Sequence, residues 1–150
     1  MTHARLASIA LALCAAYGAP ASAQSLAEKE AWQTQTDYSD RYLASTQTTC
    51  KAKIDLVYDR PSWMKVQEQW SAGSPNGRCQ DVFNALESIC RGSADGQKAV
   101  AAKVKSVRCG YGGTSGGYKM TLRGGTIDYS VQIDRPNVEE EIIKALKQQL

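Results

Sequence analysis

Hydrophobic positions along this chain change their spacing several times, and each change marks an element. The first stretch is an unbroken apolar run rich in Ala and Leu, from Leu6 to Ala16, behind one positive charge at Arg5. It is too short to cross a bilayer, which takes about 20 residues, and Gly18 and Pro20 break any helix that would extend it. Ala21-Ser22-Ala23 then places small residues where a signal peptidase reads. Residues 1–23 therefore read as a secretory signal cleaved before Gln24. Cys14 is preceded by Leu13, where lipoprotein processing resembles a requirement for Gly, Ala or Ser, so a lipid-free product is expected.

Residues 24–48 are polar, with Leu26, Trp32, Tyr38, Tyr42 and Leu43 loosely on one helical face, which predicts a helix to about Ser45 held by docking more than by propensity. Ala52, Ile54, Leu56 and Tyr58 then alternate with Lys51, Lys53, Asp55 and Val57, the period of a half-buried strand. Asp59-Arg60-Pro61 closes it and suits the start of a short helix carrying Trp63, Val66 and Trp70 on one side. Ser71 to Arg78, with Gly73, Pro75, Asn76 and Gly77, reads as a loop. Cys79, Val82, Phe83, Leu86, Ile89 and Cys90 recur at threes and fours, the strongest helical stripe in the chain, with Gly92 placed to end it. Ser93 or Asp95 can cap a further helix to about Lys103.

From Val104 the period becomes two. Val107, Cys109 and Tyr111, then Tyr118, Met120 and Leu122, then Ile127, Tyr129, Val131 and Ile133 predict three strands. Gly124-Gly125 forms a two-residue turn between the last two, and the three are expected as an antiparallel meander. Pro136 stops the last strand, Asn137 with Glu140 forms a capping pair, and Val138, Ile142, Leu146 and Leu150 stripe a terminal helix. The order α-β-α-α-α-β-β-β-α predicts a single α+β domain over residues 24–150, two-layered, with a mainly antiparallel sheet of about four strands packed with helices.

Composition narrows the chemistry. His3 is the sole histidine and leaves with the signal, removing the commonest general base and metal ligand from the exported product. Arg5 leaves too, so the remainder carries 17 Lys+Arg against 15 Asp+Glu, a balance that argues for neither nucleic acid nor anionic lipid. No later apolar run approaches a membrane span.

Four cysteines follow the signal: Cys50, Cys79, Cys90 and Cys109. Their wide spacing fits neither paired zinc ligands nor a CxxC redox site, so no metal or other cofactor is expected and two disulfides are. If Cys79 and Cys90 share a helix they stand about 16 Å apart along its axis, beyond disulfide reach. That leaves Cys50–Cys79 with Cys90–Cys109, preferred for its short loops, or Cys50–Cys90 with Cys79–Cys109. Either pairing staples the helix at both ends.

The glycine-rich stretch Gly110 to Lys119 is the most unusual local composition. It lacks the lysine and the following helix of a phosphate-binding loop. It reads as a link between strands or as a mobile binding loop, with Tyr111, Ser115, Tyr118 and Lys119 as its contacts. Trp32, Trp63 and Trp70 could form a sugar-stacking platform, but their spacing is better explained by packing. Carboxylates stand at Asp55, Asp59, Glu68, Asp81, Asp128 and Asp134, and no spacing joins two of them to a nucleophile.

Ser115-Gly116-Gly117-Tyr118-Lys119 resembles the Ser-Gly-x-x-Tyr loop of bacterial periplasmic inhibitors of C-type lysozyme, with one residue fewer between Gly and Tyr. The resemblance implies inhibition through that loop on a small all-β barrel, against the helical segments read above. The expectation is a non-enzymatic, exported bacterial domain of the periplasm or beyond, a binding, inhibitor or immunity-type module with a protein partner in the cell envelope. The alternatives are a small hydrolase using carboxylates and a structural envelope component that docks through residues 24–48.

Overall fold

In a computed structural model of the chain, residues 25–112, 117–135 and 138–150 are described. The expected signal and its cleavage site, Ser115, Pro136 and Asn137 lie outside the described residues. Helix α1 spans Leu26–Cys50, opened by a capping box between Ser25 and Glu28 and closed by Lys51 in the left-handed region at φ 49°. It runs past the expected end at Ser45 because Thr46 and Cys50 are buried in the next interface, where packing outweighs the weak propensity of its Thr-rich tail. Strand β1 is consequently short, Asp55–Tyr58.

Asp59 caps the brief helix α2, Arg60–Met64. The single helix expected for Trp63, Val66 and Trp70 is instead broken, with a separate 3-10 turn at Gln67–Gln69. The side chains still face inward: Trp63 and Val66 are buried and Trp70 packs partly buried against the core. Helix α3, Pro75–Gly92, begins inside the expected loop. Ser74 accepts from the Gly77 amide at 3.1 Å and Pro75 takes the first helical position, a start signal that outweighs Asn76 and Gly77. Ser93 caps helix α4, Ala94–Lys103, through the Gly96 amide.

Strands β2 (Ser106–Tyr111), β3 (Tyr118–Arg123) and β4 (Thr126–Val131) precede helix α5, Glu139–Lys147. The four-stranded sheet has the order β1-β2-β4-β3. It is mixed, which corrects the mainly antiparallel expectation: β1 and β4 both run parallel to β2, and only β3 and β4 pair antiparallel. The Gly124-Gly125 turn, with φ of 56° and 86°, joins that hairpin as expected. The meander fails because β4, not β3, lies beside β2. Ile127, Tyr129 and Val131 of β4 are buried, whereas β3 interposes Lys119, Thr121 and Arg123 between half-buried residues and takes the edge.

Helix α3 is the hub of the core. It packs against α1, α4 and α5 and touches β2 and β4. Helices α1 and α3 advance together, with Tyr42 stacked on Phe83, Thr46 Oγ1 donating to Glu87 Oε1 at 3.0 Å, and Cys50 bonded to Cys90. Each step is about one helical turn on both partners. The disulfides are therefore Cys50–Cys90 and Cys79–Cys109, with Cα separations of 5.2 and 5.8 Å. This corrects the preferred pairing: the shared direction of α1 and α3 carries Cys50 to the far end of α3, although Cys79 is nearer in sequence. As expected, Cys79 and Cys90 do not pair and α3 is stapled at both ends. Among the described residues no helix is long and apolar enough to cross a membrane.

Candidate protein-binding face

Alternation along the strands sorts side chains onto two faces. Leu56, Val107, Cys109, Ile127, Tyr129 and Leu122 belong to the core cluster or pack against it. Their neighbours form register rows on the opposite face. One row is Asp55, Ser106, Thr126 and Arg123, in which the Ser106 and Thr126 hydroxyls hydrogen-bond at 2.9 Å. The next is Val57, Arg108, Asp128 and Thr121, with Arg108 Nε 3.8 Å from Asp128 Oδ1. All four of its side chains are exposed. The third is Gly110, Ser130 and Lys119.

The third row is bordered by the start of α2. Ser62 Oγ accepts from the Tyr111 amide at 2.8 Å, and a Cβ at position 110 would stand only 3.1 Å from that oxygen and 3.2 Å from Asp59 Cβ. Glycine there lets α2 close over the end of β2. A shallow depression of about 310 Å³ lies beside Gly110, among Asp59, Arg108, Lys119, Thr121, Asp128 and Ser130. Met120 and Tyr129 also line it, so its floor is largely apolar and the cations, carboxylates and hydroxyls stand around it.

The residues expected to bind are divided between the faces. Lys119 is exposed on the open face. Tyr111 lies against Trp63, ring centroids 6.0 Å apart, and donates its hydroxyl to Gln132 Oε1 at 2.9 Å. Tyr118 packs near Tyr129 at 6.0 Å, and burial together with nearby Glu141 holds its phenol above the ordinary pKa. Ser115 lies outside the described residues. Sequence reading missed Arg108 and Thr121, whose signal was only their place between neighbours more buried than themselves.

The tryptophans divide as well. Trp63 is fully buried, its indole N–H donating to the Cys109 carbonyl at 3.1 Å. Trp32 packs edge-on to Tyr58 and beside Trp70, with the Arg60 guanidinium 5.2 Å over its ring.

A second polar cluster lies where α3 begins. Burial pushes the Asp81 carboxyl up to about 6; Arg78 opposes this and Glu139 adds to it. The Tyr129 phenol is also held high, by burial first and then by the Asp81 charge. Asp81 Oδ2, Arg78 Nε, Tyr129 Oη and Arg135 Nε are buried without a hydrogen-bond partner among the described residues. Asp81 was one carboxylate among six in the sequence, and only the fold distinguishes it.

The described residues form five helices and a mixed sheet, not the all-β barrel that the resemblance to lysozyme inhibitors implies. No protein-family model, curated protein or solved structure matches the chain.

Proposed function

We propose that this chain is an exported, protein-binding module of inhibitor or immunity type, acting by contact through the open sheet face in the periplasm or beyond. The observation that carries this reading is the parallel trio β1-β2-β4, whose exposed face holds Val57, Arg108 and Asp128. Parallel strands are ordinarily covered on both faces, so exposed side chains along a parallel trio favour a partner as their cover. The mixed charge of the face suits a protein surface better than a polyanion. Two disulfides fit an oxidising compartment, and the two-layer arrangement expected from the sequence would leave this face free.

The test is a photo-crosslinking amino acid at Thr121, with a control at Lys98, whose side chain is 81% exposed on α4. In cells producing the exported chain, a discrete heavier species from Thr121 and not from Lys98 is the expected result. No species from Thr121, or the same species from both positions, overturns the reading.

A carboxylate hydrolase is the second reading, favoured by the half-buried acid Asp81 beside Glu139 and Tyr129. It requires that Asp81→Asn abolish a hydrolytic activity on envelope polymers; if the unsubstituted chain has none, this reading fails.

A further inference from the structure

Strand β3 ends the sheet, so one side of its backbone is unpaired within it. Which groups point outward follows from two hydrogen bonds. The Gln132 amide donates to the Gly117 carbonyl, which sets the odd-numbered residues toward β4. The Leu122 amide donates outward to Gln149 Oε1 at 2.7 Å. Since antiparallel pairing alternates, the amide and carbonyl of Tyr118 and Met120 share the outward direction of Leu122.

The far edge is treated differently. There β1 has only four residues, and Gln47 Nε2 donates to the Ile54 carbonyl at 2.8 Å just before it. Among the described residues the one glutamine contact on the outer edge of β3 falls near one end, at Leu122, and the Tyr118–Met120 half remains a template for another strand.

Side chains decide which strand fits. Lys119, Thr121 and Arg123 are exposed on one side of β3, and the half-buried Tyr118, Met120 and Leu122 lie on the other. An added strand would lay alternate residues beside two cations and the rest beside apolar groups. A second copy of β3 paired about Thr121 would set Lys119 opposite Arg123, like charges directly across, so that register is disfavoured.

We propose that the outer edge of β3 accepts one extended strand of a partner protein, with acidic residues alternating with apolar ones. This rests on the protein-binding reading of the open face and specifies how the partner engages it. Main-chain hydrogen bonds at Tyr118 and Met120 supply the pairing, and Lys119 and Arg123 select the acidic register.

The probe is the capped peptide Val-Glu-Val-Glu-Thr-Glu-Val, added at millimolar concentration to the exported chain with both disulfides intact and followed by amide NMR. The expected result is slowing of exchange at the Tyr118 and Met120 amides by about tenfold or more. The same peptide with Lys for Glu should have no effect, and a Lys119→Glu, Arg123→Glu double variant, altered only at exposed side chains, should lose the protection. Unchanged exchange, equal protection by both peptides, or an unaffected double variant overturns the inference. So does protection appearing with concentration in the absence of peptide, which would assign the edge to a second copy. If exchange is unchanged while Thr121 still crosslinks a partner, the strand inference fails and the open-face reading stands.

Discussion

Arg108 and Asp128 stand directly opposite each other on parallel neighbours, the guanidinium Nε 3.8 Å from the carboxylate Oδ1. Their side chains are 64% and 49% exposed, so water screens the attraction and such pairs contribute about 0–1 kcal/mol. Arg108→Glu should therefore move the urea midpoint by less than about 1 kcal/mol of stability while abolishing the Thr121 crosslink. A large loss of stability would show that the pair holds the sheet together instead of serving its surface.

Asp81 makes stability depend on pH in a defined direction. Its folded pKa of about 6 lies above the ordinary 3.8, so the folded state holds the proton more tightly. The stability this gives is fully present below pH 3.8 and is lost as pH rises through about 6. Asp81→Asn should accordingly stabilise the domain by about 1–2 kcal/mol at neutral pH and change little near pH 4, as read by thermal unfolding across that range. A difference independent of pH would contradict the burial of an ionisable carboxyl.

The bridges yield a mapping experiment and an energy. Non-reducing proteolysis should release peptides joining Cys50 to Cys90 and Cys79 to Cys109. Replacing both Cys50 and Cys90 by Ala should cost roughly 2–5 kcal/mol in chemical denaturation. Recovery of peptides joining Cys50 to Cys79 would refute the alignment of α1 with α3.

Trp63 anchors α2 to β2, fully buried and hydrogen-bonded to the Cys109 carbonyl. Trp63→Ala should cost about 3–5 kcal/mol, and Trp63→Phe less, since the ring volume is largely kept and one hydrogen bond lost. Equal losses for the two would remove packing as the cause.

Gly96 offers a local steric test. A Cβ there would stand 2.5 Å from the Ile89 carbonyl oxygen, so α4 could not turn so closely off α3. Gly96→Ala should destabilise by more than about 1 kcal/mol despite the better helix propensity of alanine. Stabilisation would mean that the corner between the two helices yields freely.

Much of this fold was legible because burial leaves a period. The stripe Val82, Phe83, Leu86 and Ile89 gave α3, Val138, Ile142 and Leu146 gave α5, and all seven are buried. Alternation in β2 and β4 correctly separated Val107, Ile127 and Tyr129 from Arg108 and Asp128. What alternation cannot carry is direction: a period of two reports one-sided burial whether the neighbour is parallel or antiparallel, so the strand order was misread. The disulfide pairing failed for a related reason, since short sequence separation says nothing about how two helices align. Of the candidate site, Lys119 could be read from its position, whereas Arg108 and Thr121 gained meaning only when the register brought them into one row.

The two disulfides interleave along the chain: the loop closed by Cys50 and Cys90 contains Cys79, and the loop closed by Cys79 and Cys109 contains Cys90. No single cut between Cys50 and Cys109 can divide this protein while both bonds hold, because every segment between them is spanned by at least one bridge. A protease that nicks the exposed turn residues Ser71 or Ala72 would leave one covalent molecule, with α1 and the sheet still tied to α3. Resistance to fragmentation is thus written into the connectivity, apart from any gain in folding energy.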